Sequence, residues 1–366
     1  MAPRIVFGAG TVRTALATEL DQLGARRVML IATERELARQ SDVLAALDHV
    51  VVTFSDGRAH VPVDVADSAR RAADAAEADA LLAIGGGSAI GTAKAVALTS
   101  GRPIVAVPTT YAGSEMTAVW GLTDETGKHT GVDPRVVARV VIYDPDLTAT
   151  LPIGESMASG VNALAHAIDA LWAPKINPDL TVRASDAIAV AVVGLDALHT
   201  TAPDPTPDAR EKMLRGAMLA GQVFAAAGSG LHHKICHVLG GRYNLPHAQT
   251  HAVVLPHVVR FNAPAAPDAL SRIAGGLGVG GLGASGLGAG GLGVSRPGVA
   301  DGVGALFERL REWGVPTKLS DLGFDRALIP DAADAILPNV PAANPRTVTR
   351  ADLIDLLSDA YDGGAR

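Results

Sequence analysis

Residues 1–150 alternate short β-branched runs with alanine-rich runs whose apolar positions recur at helical spacing. The β-branched runs predict the strands Val28–Ala32, Val50–Phe54, Ala80–Ile84 and Ile104–Val107. The runs between them predict the helices Thr11–Leu23, Glu34–Leu47, Val63–Ala76 and Ser88–Leu98. Such alternation predicts a mostly parallel sheet covered by helices. A hairpin is expected next, with Thr117–Leu122 and Val136–Ile142 as its arms.

Beyond about residue 154 the strand pattern is lost, and long alanine- and leucine-rich stretches dominate. The predicted helices are Ser156–Leu171, Leu180–Leu198, Asp208–Ala227, Leu231–Gly240, His247–Phe261, Val299–Trp313, Arg326–Ala335 and Arg350–Asp362. We therefore expect an α/β fold, with a Rossmann-like parallel-sheet domain over 1–153 and an all-helical domain over 154–366. A cleft between two such domains is a usual place for an active site.

Residues 275–293, GGLGVGGLGASGLGAGGLG, interrupt the helical pattern with a low-complexity glycine repeat. Glycine at this density makes ordering costly and offers little surface to bury. We predict a loop inserted between two helices. A phosphate-binding loop is the less favoured hypothesis, because no predicted strand precedes the run and it contains no basic residue.

Composition narrows the possible partners and the compartment. The net charge of −7 gives no general attraction to nucleic acid or anionic membranes, so neither is expected as a partner. The longest apolar runs are too short or too interrupted to span a bilayer. The single cysteine, Cys236, excludes an intramolecular disulfide, and the first residues, MAPRIVFGAG, lack the apolar core of a signal peptide. We expect a cytoplasmic protein.

A dinucleotide-binding turn is indicated where the strand Ala80–Ile84 runs into Gly85-Gly86-Gly87-Ser88 and then a helix. Glycines let the backbone approach a pyrophosphate, and the helix N-terminus offers unpaired N–H groups. The run is not the GxGxxG fingerprint, so a tight turn without a ligand remains an alternative. A second polar segment, Pro108–Glu115, follows Ile104–Val107 and weakens that alternative, because strand C-termini face the ligand crevice of a parallel sheet.

Several of the 11 histidines recur at a spacing of four residues on predicted helices. His233 and His237 form one such pair, and His247 and His251 form another. A lone histidine is more often structural, but pairs on neighbouring helices predict a shared polar site. Three converging imidazoles bind zinc or iron, often with a carboxylate. Without metal, they donate protons or bind anions near neutral pH.

The motifs together resemble one known superfamily. GGGSAIGTAKA, PTTYAGSE, GVNALAHAID and HHKICHVLGGRYNLPHAQTHAVVLPHVVRFN follow the order and spacing of iron-containing alcohol dehydrogenases over residues 5–365, apart from the glycine-rich insert. The resemblance implies the dehydroquinate synthase-like fold. It places the superfamily's metal ligands, one aspartate and three histidines, at Asn162, His166, His233 and His247. The aspartate is therefore replaced by asparagine.

Asn162, together with YAGSEMT, GKHTGVDPRV and ICHVLGG, is typical of the maleylacetate reductase branch of that superfamily. That resemblance implies reduction of the carbon–carbon double bond of 2-maleylacetate to 3-oxoadipate by NADH or NADPH, without a metal, by a homodimer. The implied cofactor contacts are Gly86, Gly87, Ser88, Thr109, Thr110, Ser114, Lys128 and Phe224. For the dianionic substrate we expect His233 and His247 as donors, His237 as proton source and His166 as a further polar wall.

Three alternatives stay open at this point. A metal-dependent alcohol dehydrogenase or aldehyde reductase of the same superfamily would bind zinc or iron despite Asn162. A reductase of a related unsaturated oxo-diacid would keep the chemistry and change the substrate. A catalytically silent binding or scaffold protein would bind nucleotide without turnover.

Overall fold

The computed structural model describes residues 2–125, 127–279 and 299–364. Contacts within the chain divide it into two compact units, Met1–Leu151 and Pro152–Arg366. The glycine-rich loop predicted over 275–293 lies mainly outside the described residues, although its first two residues end a helix.

The first unit contains alternating strands and helices. Its strands are β1 Arg4–Phe7, β2 Val28–Ile31, β3 Val50–Phe54, β4 Ala80–Gly85, β5 Ile104–Pro108, β6 Val119–Asp124, β7 Gly127–Val132 and β8 Val140–Tyr143. Its helices are α1 Thr11–Leu23, α2 Glu34–Arg39, α3 Ser41–Ala45, α4 Val63–Ala75 and α5 Gly87–Ser100.

Six of these strands form one parallel sheet in the order β1-β8-β5-β4-β2-β3. Every residue of β2, β4, β5 and β8 is buried, as expected where helices cover both faces of a parallel sheet. The chain passes from β2 outward to β3 and then returns to β4 on the other side of β2. This reversal places a topological switch point beside the C-terminal end of β4.

The predicted hairpin is wrong in its second arm. Strand β6 pairs antiparallel with β7, Gly127–Val132, whereas Val140–Tyr143 is β8 and pairs in parallel with β1 and β5. The sequence GKHTGV lacks apolar alternation because β7 belongs to a small, partly exposed two-stranded sheet. The apolar run VVIY is buried on both faces, which is typical of a central parallel strand. Lys128 consequently lies within β7 rather than in a turn.

Two further elements differ from what the sequence predicted. Strand β1 was not predicted; only four residues long, it lies at an edge of the sheet with its first residue exposed. The helix expected over Glu34–Leu47 is two short helices, because Gln40 adopts φ −101° and ψ 15° between them.

Among its described residues, the second unit contains helices and no strand, as predicted. Its helices are α6 Ile153–Ala170, α7 Pro178–Thr200, α8 Pro207–Ala227, α9 Leu231–Tyr243, α10 His247–Asn262, α11 Pro267–Gly276, α12 Val299–Glu312, α13 Ile329–Ile336 and α14 Arg350–Asp362. In the described part of the chain, no helix is both long and apolar enough to cross a membrane. Helix α6 is buried from Ser156 to Ala170 and therefore lies at the centre of this unit.

Helices α7 and α8 pack backbone to backbone at two glycines. A Cβ on Gly216 would lie 2.7 Å from the Cα of Ala191, and one on Gly194 would lie 2.5 Å from the Cα of Met213. Both distances are shorter than van der Waals contact with main-chain atoms that cannot move aside. The helices can approach this closely only because neither position carries a side chain.

We predict that Gly216→Ala lowers the free energy of unfolding by about 1–3 kcal/mol, because the added methyl group forces the two helices apart. Gly154→Ala in α6 is the matched control, since a Cβ there meets nothing within 4 Å. Urea unfolding of both variants measures the difference. Equal stability of the two variants would show that α7 and α8 separate without cost.

Candidate active site

The turn after β4 has the geometry of an anion-binding helix N-terminus. Gly85 ends the strand at φ 149°, a conformation that side-chain-bearing residues rarely adopt. Gly86 precedes the first helical residue, Gly87, and no described side chain caps that end of α5. The first N–H groups of the helix, near Ser88, therefore lack a side-chain acceptor, and the helix dipole favours negative charge there.

The segment after β5 lies directly against this turn. The Thr109 amide donates a hydrogen bond to the Gly85 carbonyl oxygen at 3.2 Å. A Cβ on Gly86 would lie 2.9 Å from the Thr110 methyl carbon, so the two segments touch only because residue 86 is glycine. The structure thus brings together Gly86, Gly87, Ser88, Thr109 and Thr110, at the switch point of the sheet.

A buried lysine, which the sequence analysis missed, holds the next segment in place. The Lys94 ammonium group on α5 donates to the carbonyl oxygens of Ser114 (2.6 Å), Thr117 (2.8 Å) and Val119 (2.8 Å). Burial lowers the pKa of Lys94 to about 7. Ser114 therefore lies in a turn whose backbone is tied to the same helix as Gly87.

Lys128 is on β7, and burial lowers the pKa of its amino group. Its Cε lies 3.1 Å from where a Cβ on Gly121 would be, so it packs across β6. Its predicted contact with the cofactor stays a prediction.

In the second unit, helices α6, α9 and α10 bring five imidazoles into contact. We call this group, His166, His232, His233, His247 and His251, the imidazole cluster. The ring centroids of His166 and His233 lie 4.8 Å apart and are stacked. Those of His247 and His251 lie 4.5 Å apart, and His251 is also 4.9 Å from His233. The cluster is almost entirely buried except at His247, which opens α10 and is exposed.

The carboxylate of Asp169, one turn after His166 on α6, orients this cluster. It is fully buried and accepts hydrogen bonds from the Gly230 amide (2.7 Å), the His232 amide (3.2 Å) and the Trp172 indole (2.8 Å). It also lies 2.7 Å from Nδ1 of His233. Asp169 therefore caps the N-terminus of α9 from another helix and fixes one of its side chains.

This contact sets the proton positions along the chain Asp169–His233–His166. A carboxylate only accepts, so Nδ1 of His233 carries the proton. Burial, followed by the neighbouring imidazoles His166 and His247, lowers the pKa of His233 well below its usual range, so the ring is neutral and Nε2 holds a lone pair. Nε2 lies 2.7 Å from Nδ1 of His166, which must then be the donor.

The remaining predicted residues lie around this hydrogen-bonded series of Asp169, His233 and His166. His237 follows His233 by one turn of α9, at 6.1 Å between ring centroids. Phe224 on α8 packs against His233 at 4.3 Å and against His166 at 4.5 Å, which makes it an apolar wall of the cluster. Its predicted cofactor contact stays a prediction. Within this arrangement both ring nitrogens of His233 have protein partners. Its predicted role as a donor to substrate stays a prediction.

Sequence reasoning did not assign a role to Asp169, His232 or Cys236. Asp169 follows His166 by three residues, which is the helical spacing that places two side chains on one face. His251 was noted at helical spacing from His247, but it was not assigned to the site. Gly230 was also missed; a Cβ there would lie 2.5 Å from Oδ1 of Asp169, so only glycine leaves room for the carboxylate.

Comparison with known proteins agrees with this fold and these elements. The family model described as iron-containing alcohol dehydrogenase matches residues 2–145, and its C-terminal counterpart matches residues 156–361. A maleylacetate reductase of Burkholderia cepacia is 42% identical over 362 residues, covering 99% of this chain and 96% of that protein.

Solved structures of related proteins have the same fold. An iron-containing alcohol dehydrogenase from Corynebacterium glutamicum superposes with a TM-score of 0.87 at 43% identity, covering 99% of this chain and 95% of that one. A maleylacetate reductase from Agrobacterium tumefaciens has a TM-score of 0.86 at 36% identity, with 100% and 98% coverage. These matches define an oxidoreductase with a parallel-sheet unit and a helical unit. The chain belongs to the iron-containing alcohol dehydrogenase family.

The family's name implies a metal ion, and Asn162 changes the set of donor groups at the positions where the family's ligands are expected. Asn162, 1% exposed, offers a neutral amide where a carboxylate would supply charge. Among the described residues, His166, His233 and His247 do not form a group with converging ligand atoms.

We predict that Asp169→Asn lets His233 populate both neutral tautomers, because an amide presents either an acceptor or a donor to Nδ1. Nitrogen-15 NMR of histidine-labelled protein measures the proton on each ring nitrogen. In the wild type, Nδ1 of His233 should be protonated and Nε2 should not.

Asp196→Asn is the matched control, because Asp196 also binds an indole, that of Trp313 at 2.9 Å, but contacts no histidine of the cluster. Its His233 signals should match the wild type. An unchanged His233 tautomer in Asp169→Asn would mean that another group fixes the ring.

Proposed function

We propose that the protein reduces the carbon–carbon double bond of 2-maleylacetate to 3-oxoadipate with NADH or NADPH. The names and full-length similarity of the maleylacetate reductases support the substrate. The observation that carries the proposal is the chain Asp169–His233–His166 beside Asn162, which provides proton transfer where the family's metal ligands are expected.

The chemistry sets three requirements. Bound nicotinamide cofactor supplies a hydride to the alkene carbon β to the ketone. Negative charge then develops on the ketone oxygen, and the alkene carbon bonded to the ketone carbon must receive a proton. The protein has to position the substrate, stabilise the enolate and deliver that proton.

The chain Asp169–His233–His166 suits proton delivery. When His166 takes up a proton at Nε2, its Nδ1 keeps donating to His233, and the Asp169 carboxylate stabilises the positive charge through that ring. Catalytic triads contain the same Asp–His arrangement, in which a buried aspartate orients the imidazole and stabilises the imidazolium. His166 would then give the Nε2 proton to the α-carbon of the enolate, which restores the ketone.

The other histidines suit the substrate's charges. His247 is exposed at the N-terminus of α10, where an imidazole and the helix dipole both favour a carboxylate. His237 is partly exposed one turn from His233, and this position supports a role as an alternative proton source. Asn162 adds no negative charge, so a dianionic substrate meets no carboxylate at that position.

The turn of Gly86, Gly87 and Ser88 suits the cofactor's pyrophosphate. It combines an uncapped helix N-terminus, a position beside the switch point of the sheet and close contact with Thr109 and Thr110. We include a cytoplasmic location in the proposal, supported by the single cysteine, which is a free thiol.

We predict that catalysis does not need a metal ion at the family's positions. Protein dialysed against a strong chelator and verified as metal-free should oxidise NADH with maleylacetate at nearly the original rate. The physical reason is that an amide replaces the anionic ligand and imidazoles supply the proton.

Activity that is lost on chelation and restored by one equivalent of Zn²⁺ or Fe²⁺ would contradict this prediction. That result would favour the metal-dependent alcohol dehydrogenase or aldehyde reductase. Full NADH binding without turnover of maleylacetate would instead indicate another unsaturated oxo-diacid or a silent binding protein.

We predict that Gly86→Val raises the KM for NADH at least about tenfold, because the side chain displaces Thr110 and blocks the approach of the pyrophosphate. Steady-state kinetics at saturating maleylacetate measures the effect. Gly101→Ala, just after the far end of α5, is the control for damage to the helix, because its φ of 70° strains an alanine there although a Cβ meets nothing within 4 Å. An unchanged KM in Gly86→Val would place the cofactor elsewhere.

A further inference from the structure

A second group of side chains lies beside the proposed proton path and takes no part in it. His232 and Cys236 are four residues apart on α9 and share one face of that helix, while His251 faces them from α10. Nε2 of His232 lies 2.9 Å from Nδ1 of His251 and 3.7 Å from Sγ of Cys236. All three side chains are fully buried.

These three ligand atoms lie within 4.8 Å of one another, which no other group of His, Cys, Asp or Glu in the described ranges achieves. Ligands of a tetrahedral Zn²⁺ at 2.0–2.1 Å for nitrogen and 2.3 Å for sulfur stand roughly 3.3–3.6 Å apart. The observed separations, from 2.9 Å to at most 4.8 Å, bracket this range, so the three atoms need to move by only about 1 Å to bind one ion. Two imidazoles with a thiolate are soft donors that favour zinc-like ions.

The charge balance of the site also suits a divalent ion. Burial, with the nearby Asp169 carboxylate, raises the pKa of Cys236 well above its usual range, so the free protein holds a thiol. A bound cation would displace that one proton and create a thiolate. The thiolate and Asp169 together carry two negative charges, which offset a divalent ion in a buried site.

We propose that His232, Cys236 and His251 form a binding site for a thiophilic divalent metal ion, separate from the positions of Asn162, His166, His233 and His247. This site does not depend on the proposed reaction. It links α9 to α10, so an ion bound there stabilises the folded state.

Co²⁺ is the probe, because a cobalt–thiolate bond gives a charge-transfer band in the near ultraviolet. Metal-free full-length protein is mixed with Co²⁺ and followed to equilibrium, since a buried site fills slowly. We expect one bound Co²⁺ per chain, the thiolate band, release of a proton and a higher melting temperature. Wild-type protein that binds no Co²⁺, or binds it without the band, overturns the proposal.

Variants then locate the ion. Cys236→Ser should abolish the band, and His251→Asn should weaken Co²⁺ binding at least about tenfold. His257→Asn is the matched control, because it removes another buried histidine of α10 that bonds Arg260 instead. It should leave the band intact, as should His166→Asn. A band that survives Cys236→Ser, or that disappears in His166→Asn, overturns the assignment.

Discussion

The carboxylate of Asp169 must satisfy several donors at once, because it is fully buried and a buried charge without partners is very costly. It does so by accepting from the N-terminus of α9, from the Trp172 indole and from His233. The helical unit depends on this arrangement. It fixes where α9 begins relative to α6, requires glycine at position 230, and sets the tautomers of His233 and His166.

In the parallel-sheet unit, a buried positively charged side chain likewise holds backbone in place. The Lys94 ammonium group is buried among carbonyl oxygens, and it ties the segment Ser114–Val119 to α5. That segment follows the turn at Thr109 and Thr110, which packs on Gly86. In both units, a buried charged side chain on a central helix therefore holds irregular backbone beside a proposed functional residue, which limits the motion of the site.

The structure changes how the asparagine at position 162, in place of the family's aspartate, is interpreted. In the sequence it is only the loss of an anionic metal ligand. In the structure, an anionic group is still present nearby. The Asp169 carboxylate binds Nδ1 of His233, the ring nitrogen that does not contact His166. In the proposed reaction, a carboxylate in that place stabilises the protonated imidazole of His166 without adding negative charge at position 162, where it would repel the dianionic substrate.

The sequence by itself determined the fold class, the division into sheet and helical halves, and the residues of the β4–α5 turn. These follow from periodicity and local glycine chemistry, which depend on neighbours in the chain. Tertiary structure alone decided that Val140–Tyr143 joins the central sheet, because a short apolar run does not specify its partner. It also decided the roles of Asp169, Lys94, His232 and Cys236. Their chemistry arises from burial and from partners as many as 64 residues away, as between Asp169 and His233. Helical spacing puts Asp169 on the same face as His166, but it does not specify a partner on another helix.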